Sequence, residues 1–342
     1  MDVINLTKEL VNIPSPSGSE REIGNFLVQR LNKNFNVKIQ KVGNRFNIIA
    51  TKGVPKLILT THMDTVPKQI KADEDNNWIY GRGSCDTKGI IACMICASEE
   101  AIKLGYSNFG LLFDVSEETD FSGIKKAVKL INTDYIVIGE PTNFKTVIGQ
   151  KGLIQLKIQC YGKSAPGSTP EIGISAINNL VEIIHKIKGI KFPHDRFLGK
   201  TTLNIGKING GSSPNVVADY AEATIEIRTT KANSTILDIL RKVIPKKNLK
   251  IIYSYGAILN KNTDFINKFR FDKITVPYFT EMYFLHKKGK SLVFGPGKYE
   301  FAHSENEKIK KKDLIKGKDI YLKMIKAITK FTYRKIYQSP KF

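Results

Sequence analysis

Leu57-Ile-Leu-Thr-Thr-His62-Met-Asp64-Thr-Val-Pro67 decides the architecture of this 342-residue chain. Residues 56–61 are β-rich and apolar at their centre, the pattern of a strand inside a sheet, and the run ends in His-x-Asp. Upstream, 37–42 and 47–51 read as further strands. Before them, the breaker Pro14-Ser-Pro-Ser-Gly-Ser19 ends one helix and caps the next, 20–31. Downstream, helix 89–103, strand 110–115, helix 123–130 and strand 134–138 alternate, which is the signature of an α/β fold with a mixed sheet. After Gly152 the pattern changes to strands 153–161, 201–208 and 221–229 with one helix, 173–188, a smaller α+β unit ending near Tyr253. A strand at 291–294 and a last helix at about 312–331 resume the α/β pattern. One insertion into one discontinuous domain therefore explains the chain better than two domains in series.

With 41% hydrophobic and 25% charged residues the chain can bury a sizeable core. The greasiest stretch, 89–97, is about half of what a membrane span needs. The start Met-Asp-Val shows no basic and apolar leader pattern, so a cytoplasmic protein with no membrane partner is expected. Four cysteines in this length are no disulfide scaffold, and the Cys93-x-x-Cys96 pair sits in an apolar helical run, where packing is its expected role. The 54 Lys plus Arg against 32 Asp plus Glu give +22, and only nine of the bases are Arg. A nucleic-acid binder would cluster its bases with Arg and aromatic side chains on one element, whereas these lysines are scattered and merely thicken at 308–312 and near the C-terminus, so no nucleic-acid partner is expected. A bias toward Lys, Ile and Asn is what AT-rich coding produces; the same charge also suits the steering of small anionic substrates.

Ligands of a hydrolytic metal centre are histidines and carboxylates just past strand ends, where a rigid backbone delivers side chains to a cleft. His62 is so placed, and Asp64 is in reach to accept its second ring N–H. Gly81-Arg-Gly-Ser-Cys-Asp86-Thr-Lys-Gly89 delivers Asp86 from a Gly-rich turn directly before a helix, a position that suits an N-cap as well as a ligand. Glu117 and Glu118 follow strand 110–115. Adjacent carboxylates repel unless a cation or a proton separates their roles, so a ligand beside a general base is the natural reading. Glu140 ends strand 134–138, and far downstream Phe294-Gly295-Pro-Gly297 precedes Ala302-His303-Ser-Glu-Asn-Glu307. Each segment alone is weak. Together His62, Asp86, Glu118, Glu140 and His303 suffice for two metals sharing one carboxylate, with Glu117 left as base.

These motifs, in this order between residues 5 and 322, resemble the acetylornithine deacetylase and succinyl-diaminopimelate desuccinylase family of co-catalytic zinc amidohydrolases and peptidases. The resemblance implies a mixed-sheet, zinc-peptidase-like catalytic domain formed by 1–152 and 254–342, with an inserted lid and dimerisation domain at 153–253. It implies two divalent cations, zinc or in its place cobalt, with His62 and Glu140 on one, Glu118 and His303 on the other and Asp86 bridging. Glu117 takes the general-base position, Asp64 the orienting position, and a cis peptide follows Asp86. The lid matches through Gly162-Lys-Ser-Ala-Pro-Gly-Ser-Thr-Pro170, Gly210-Gly211, Asn215 and Ile225-Glu-Ile-Arg228, and implies a homodimer through that domain.

One departure stands out: Pro166, which has no side-chain donor, occupies the place of the family's lid histidine, and the other lid histidines are His185 and His194. Tyr278-Phe-Thr280-Glu281 with the Gly295 turn most resembles the acetylornithine deacetylase branch. The substrate contacts expected from this are Arg228 on an α-carboxylate, Glu281 on the amine of a basic amino acid, Asn215 from the lid, and Gly295. Against these stand a structural ion pair for Arg228, an exposed surface residue for Glu281 and a turn residue for Asn215. The expected activity is deacylation of an N-acyl amino acid such as N-acetylornithine; the alternatives within the family are desuccinylation of succinyl-diaminopimelate and hydrolysis of short peptides by a dipeptidase or carboxypeptidase. A catalytically impaired family member acting as a binding protein is the alternative from another class.

Overall fold

In the computed structural model, which describes residues 2–260, 267 and 269–329, the chain divides into two units. The first is Met1–Ile148, Asn260–Ile274 and Phe284–Phe342; the second is Gly149–Leu259 and Thr275–Tyr283. Residues 275–283 thus group with the inserted unit, whereas the sequence reading put them in the metal-binding domain. Lys330 and Phe331, the end of the expected last helix, lie outside the described residues.

The first unit opens with α1 (Val3–Asn12), whose free N–H groups at Ile4 and Asn5 are capped by the Asp2 carboxylate. The helix α2 (Arg21–Leu31) follows the Pro-Ser-Gly breaker. The hairpin β1 (Asn36–Val42) and β2 (Arg45–Lys52) leads to β3 (Leu57–His62), buried at all six positions. After the short β4 (Asp73–Glu74) and β5 (Trp78–Tyr80) comes α3 (Lys88–Lys103), buried on most of its surface. Then follow β6 (Phe109–Asp114), α4 (Ser122–Ala127), β7 (Tyr135–Ile138) and β8 (Thr146–Gln150), the last carrying the chain into the second unit.

That unit contains β9 (Gly152–Tyr161), α5 (Ala176–Lys188), the small hairpin β10 (His194–Asp195) and β11 (Gly199–Lys200), β12 (Thr202–Gly210), β13 (Tyr220–Thr229), α6 (Asn233–Arg241), β14 (Leu249–Tyr255) and β15 (Ile258–Leu259). The chain returns through β16 (Lys273–Val276), α7 (Met282–Leu285), β17 (Lys290–Val293), β18 (Lys308–Lys310) and α8 (Lys311–Ile328).

In the main sheet the order runs β1-β2-β6-β3-β7-β17-β8. Its centre, β6-β3-β7-β17, is parallel, and β1, β2 and β8 are antiparallel to their neighbours, so the sheet is mixed. Four parallel strands place four carboxyl ends along one edge of the sheet, the location at which such sheets bind ligands. The unit's core joins the faces of β3 and β6 to α1, α3 and α8 through Leu6, Leu59, Ile91, Met94, Phe113 and Met324. Cys93 and Cys96 lie buried on α3 as unpaired thiols, and Cys93 donates to the Leu314 carbonyl of α8.

The second unit is an antiparallel sheet, β12-β13-β9-β14, with α5 and α6 supplying Leu180, Ile183, Ile236 and Leu240 to its core. Burial alternates residue by residue along β13, as expected for a sheet covered on one face. The sequence reading missed α6, although Ile236, Leu237 and Leu240 form its buried stripe. No helix among the described residues is long and apolar enough to cross a membrane.

Gly123, at the start of α4, approaches the end of β6 so closely that a Cβ would lie 2.2 Å from the Val115 carbonyl oxygen and 2.7 Å from its nitrogen. We predict that Gly123→Ala lowers stability by about 1–3 kcal/mol through overpacking, read from the urea midpoint, and displaces the adjoining 116–118 turn.

Candidate metal centre

Every ligand-type residue singled out in the first unit comes from an end of the parallel strands or from a turn beside them. His62 is the last residue of β3. Glu117 and Glu118 follow β6, and Glu140 follows β7. Asp86 precedes α3, and the peptide between it and Thr87 is cis. The Asp86 side chain does not cap α3, whose N-cap is Thr87. His303 stands in the loop before β18, in a left-handed backbone conformation with φ near 60°.

Three ligand groups, His62/Glu117/Glu118, His62/Asp86/Glu140 and Asp86/Glu118/His303, each bring one atom per residue within 4.8 Å of the others. Asp86 lies between two histidines: its Oδ1 is 3.2 Å from His62 Nε2 and its Oδ2 3.3 Å from His303 Nε2. His303 Nε2 is also 2.8 Å from Glu118 Oε1.

The electrostatics fit a site built for positive charge. Burial pushes the Glu117 and Glu140 carboxyls well above their usual range, and neighbouring carboxylates add to the shift. Burial likewise raises Glu118, against the pull of His303. Burial also disfavours ionised Asp86, but its contacts with His303 and His62 outweigh that and hold its carboxyl well below the ordinary value. Hydrogen bonds to Asp86 and Glu118 push the His303 imidazole up to about 11. Two imidazoles and four carboxylates form a nitrogen and oxygen donor set suited to divalent cations such as zinc, cobalt or manganese.

Asp64 stands beside the His62 ring, where it was expected, and holds backbone as well. His62 Nδ1 lies 2.9 Å from the main-chain oxygen of Asp64 and 3.6 Å from its Oδ1, so the carbonyl is the nearer partner of the ring. The carboxylate also accepts the backbone N–H of Glu117 (3.0 Å) and of Glu118 (3.1 Å) and the Ser17 hydroxyl (2.6 Å). Two of these donors reach it because the 116–118 turn follows β6, the neighbour of β3 in the sheet, and Ser17 because its backbone is bonded to Thr65.

Thr87 Oγ1 donates to the His62 carbonyl, and Thr61 Oγ1 to that of Gly139, tying three ligand-bearing ends together. Sequence reading had passed over Ser17, Glu20, Arg45, Arg82 and Glu307 around the site. Glu20 after the Ser-Gly-Ser breaker and Glu307 in the His303 segment were visible acids, but nothing local marked them as buried.

The expected substrate contacts are divided between the two units. Gly295 is buried, and a Cβ there would lie 2.5 Å from the Glu140 carbonyl oxygen, so its place is a close approach to the Glu140 backbone. In the second unit, Arg228 makes an ion pair with Glu226, two residues away on β13, at 2.7 Å. Glu281 is 1% exposed, which removes the surface-residue reading. Asn215 is exposed in a loop whose carbonyl takes the Gly167 N–H. Pro166 bridges Val216 through its backbone, and His185 and His194 are exposed.

Fold and site define a metal-dependent hydrolase of amide bonds. The chain matches the model of Peptidase family M20/M25/M40 over residues 58–327. A peptidase M20 domain-containing protein of Schizosaccharomyces pombe is 32% identical, the alignment covering 95% of this chain and 84% of that protein. A probable carboxypeptidase of Talaromyces marneffei is 31% identical over 95% and 85% of the two chains. In fold, a tripeptidase from Staphylococcus aureus superposes with a TM-score of 0.78 at 24% identity, covering 95% of this chain and 97% of that one. The chain belongs to Peptidase family M20/M25/M40.

Removing the Asp64 carboxylate would strand the N–H groups of Glu117 and Glu118 and the Ser17 hydroxyl. We predict that Asp64→Ala costs about 1–3 kcal/mol for each buried group left unpaired, measured by urea unfolding of the metal-free chain.

Proposed function

We propose that this chain hydrolyses the amide between an acyl or peptidyl group and an amino acid with a free α-carboxylate. That class includes C-terminal cleavage of short peptides and deacylation of N-acetylornithine. The observation that carries the reading is Asp86, whose two oxygens face different histidines while Glu118 and Glu140 close the two flanking groups. In this reading His62 and Glu140 hold one divalent cation, Glu118 and His303 a second, and Asp86 both, with zinc as the metal. The cations would polarise the scissile carbonyl and ease deprotonation of a water.

Glu117 takes the proton of the attacking water and returns it to the leaving amine. Asp64 keeps Glu117 aimed by holding its backbone N–H. Arg228, with Nη1 as the donor left beyond its Glu226 pair, receives the α-carboxylate, and buried Glu281 the amine of a basic side chain. Relatives named as probable carboxypeptidases support the peptide side of this class, and the Thr280-Glu281 pair with the Gly295 turn supports the deacetylase side. A homodimer through the second unit is supported by β12 at an edge of its sheet and by exposed Ile177, Val181 and Ile208.

The test is a screen of the zinc- or cobalt-loaded protein against dipeptides, their C-terminal amides, N-acetylornithine, N-acetyllysine and N-succinyl-diaminopimelate. Hydrolysis of substrates with a free carboxylate, lost on amidation, is expected. A metal-loaded chain that turns over none of them sinks the proposal in favour of a binding protein.

Glu117→Gln is predicted to keep the metal content and lose turnover by at least about a hundredfold, the scale of a lost proton acceptor. Glu118→Gln should lower the metal content itself, because it removes a charged ligand. Metal analysis alongside turnover separates the two, and equal metal loss in both would reverse the assigned roles.

A further inference from the structure

Two buried acids outside the ligand set each grip, with an arginine, the backbone of a turn that carries a ligand. Glu307 is 1% exposed. Its Oε2 accepts from Arg82 Nη1 at 2.7 Å, and its Oε1 accepts the N–H of Cys85 at 3.1 Å and of Asp86 at 3.0 Å. Glu20 is equally buried. Its Oε1 accepts the Ser116 N–H at 3.2 Å and its Oε2 that of Gly18 at 2.8 Å. Arg45 Nη1 donates to Glu20 Oε1 at 3.0 Å and to the Ser116 hydroxyl at 2.6 Å. Ser116 stands at a left-handed φ of 65°, directly before Glu117 and Glu118.

Buried acids so close to a carboxylate cluster bring repulsion and a desolvation cost that an apolar residue would not. What they supply in exchange is geometry. A charged acceptor locked by a guanidinium fixes the peptide N–H groups that point at it, and with them the side chain of the residue to which those peptides belong. Asp86 needs such fixing most, because its two oxygens must face two different histidines at once, and a rotation that improves one contact loses the other. The two clamps act on different turns. Asp86 and Glu118 each fall in ligand groups of both histidines, but in the two-cation reading Asp86 serves both cations and Glu118 only the one at His303.

We propose that Glu307 and Glu20 are positioning residues that divide the metal centre between them. Glu307, with Arg82, sets Asp86 and hence both cation positions; Glu20, with Arg45, sets the Glu118 turn and hence one. The inference rests on the two-cation reading given above. Residues that orient metal ligands typically change metal affinity by about ten- to a hundredfold when altered.

The experiment titrates the metal-free, full-length chain with Co2+, following the visible absorption of the bound ion and checking the fold by circular dichroism. Wild type, Glu307→Gln and Glu20→Gln are compared, since glutamine keeps the volume and an acceptor oxygen but loses the charge that holds the arginine. We expect two binding steps in wild type, both weakened at least about tenfold in Glu307→Gln, and only one weakened to that extent in Glu20→Gln. Arg82→Lys and Arg45→Lys should reproduce the two patterns and carry the test if a glutamine variant does not fold.

Folded variants with wild-type cobalt affinities, or the same pattern in both pairs, would overturn the inference while the two steps of wild type left the two-cation reading standing. Loss of the fold in all four variants would make the pairs plain stability elements and overturn it too. A wild type that takes up no Co2+ would overturn both readings together.

Discussion

The rest of the first unit is arranged around one electrostatic constraint: four carboxylates, Asp86, Glu117, Glu118 and Glu140, converge where burial would otherwise drive them to protonate. Isolated buried charges of one sign are too costly to keep. Donors whose positions the sheet has already set offset part of that cost, while the Glu117 and Glu140 carboxyls stay well above their usual range. The two histidines flank Asp86, the Asp64 carboxylate anchors the peptides of Glu117 and Glu118, and Arg82 and Arg45 neutralise the acids that hold the neighbouring turns. A divalent cation is what such an array is short of, which is why the donor set and the electrostatics lead to the same chemistry.

The parallel centre of the sheet makes this possible at small cost in backbone irregularity. β6, β3 and β7 end side by side, so Glu117, His62 and Glu140 reach one place although Glu117 lies 55 positions after His62 in the chain and Glu140 a further 23. Asp86, Glu118 and His303 arrive on turns and loops, and these need holding. Irregular backbone therefore gathers here: the cis Asp86-Thr87 peptide and the left-handed Ser116 and His303. Close approaches at Gly123 and Gly295 bring neighbouring backbones within the distance that a Cβ would forbid.

The second unit follows simpler rules. Its antiparallel sheet buries one face under α5 and α6, and the alternation along β13 could be read directly from the sequence, as could the amphipathic stripe of α5. The helix α6 was passed over because its apolar positions lie in a short, Asn- and Ser-started segment between a strand and a lysine-rich turn, where a nine-residue stripe stands out little. β14 was missed for a related reason, because it is exposed or intermediate at every position and so shows no buried stripe. β8, buried at four of its five positions, is short and ends in Gly-Gln, which broke its apolar run.

By itself, the sequence determined the alternation of elements, the strand that became β3 and the residue types at the strand ends, because hydrophobic periodicity and strand-end chemistry are local properties of the chain. It therefore named His62, Asp86, Glu117, Glu118, Glu140 and His303 before any contact was known. Only the tertiary structure decided which of their atoms meet: that Asp86 presents a different oxygen to each histidine, that Asp64, beside the His62 ring, also holds two peptides, and that Glu281 is buried. It also supplied Glu20, Arg45, Arg82 and Glu307. The partners in those pairs lie 25 and 225 residues apart in the chain, and an acid that will be buried against an arginine has the same local pattern as one left in water.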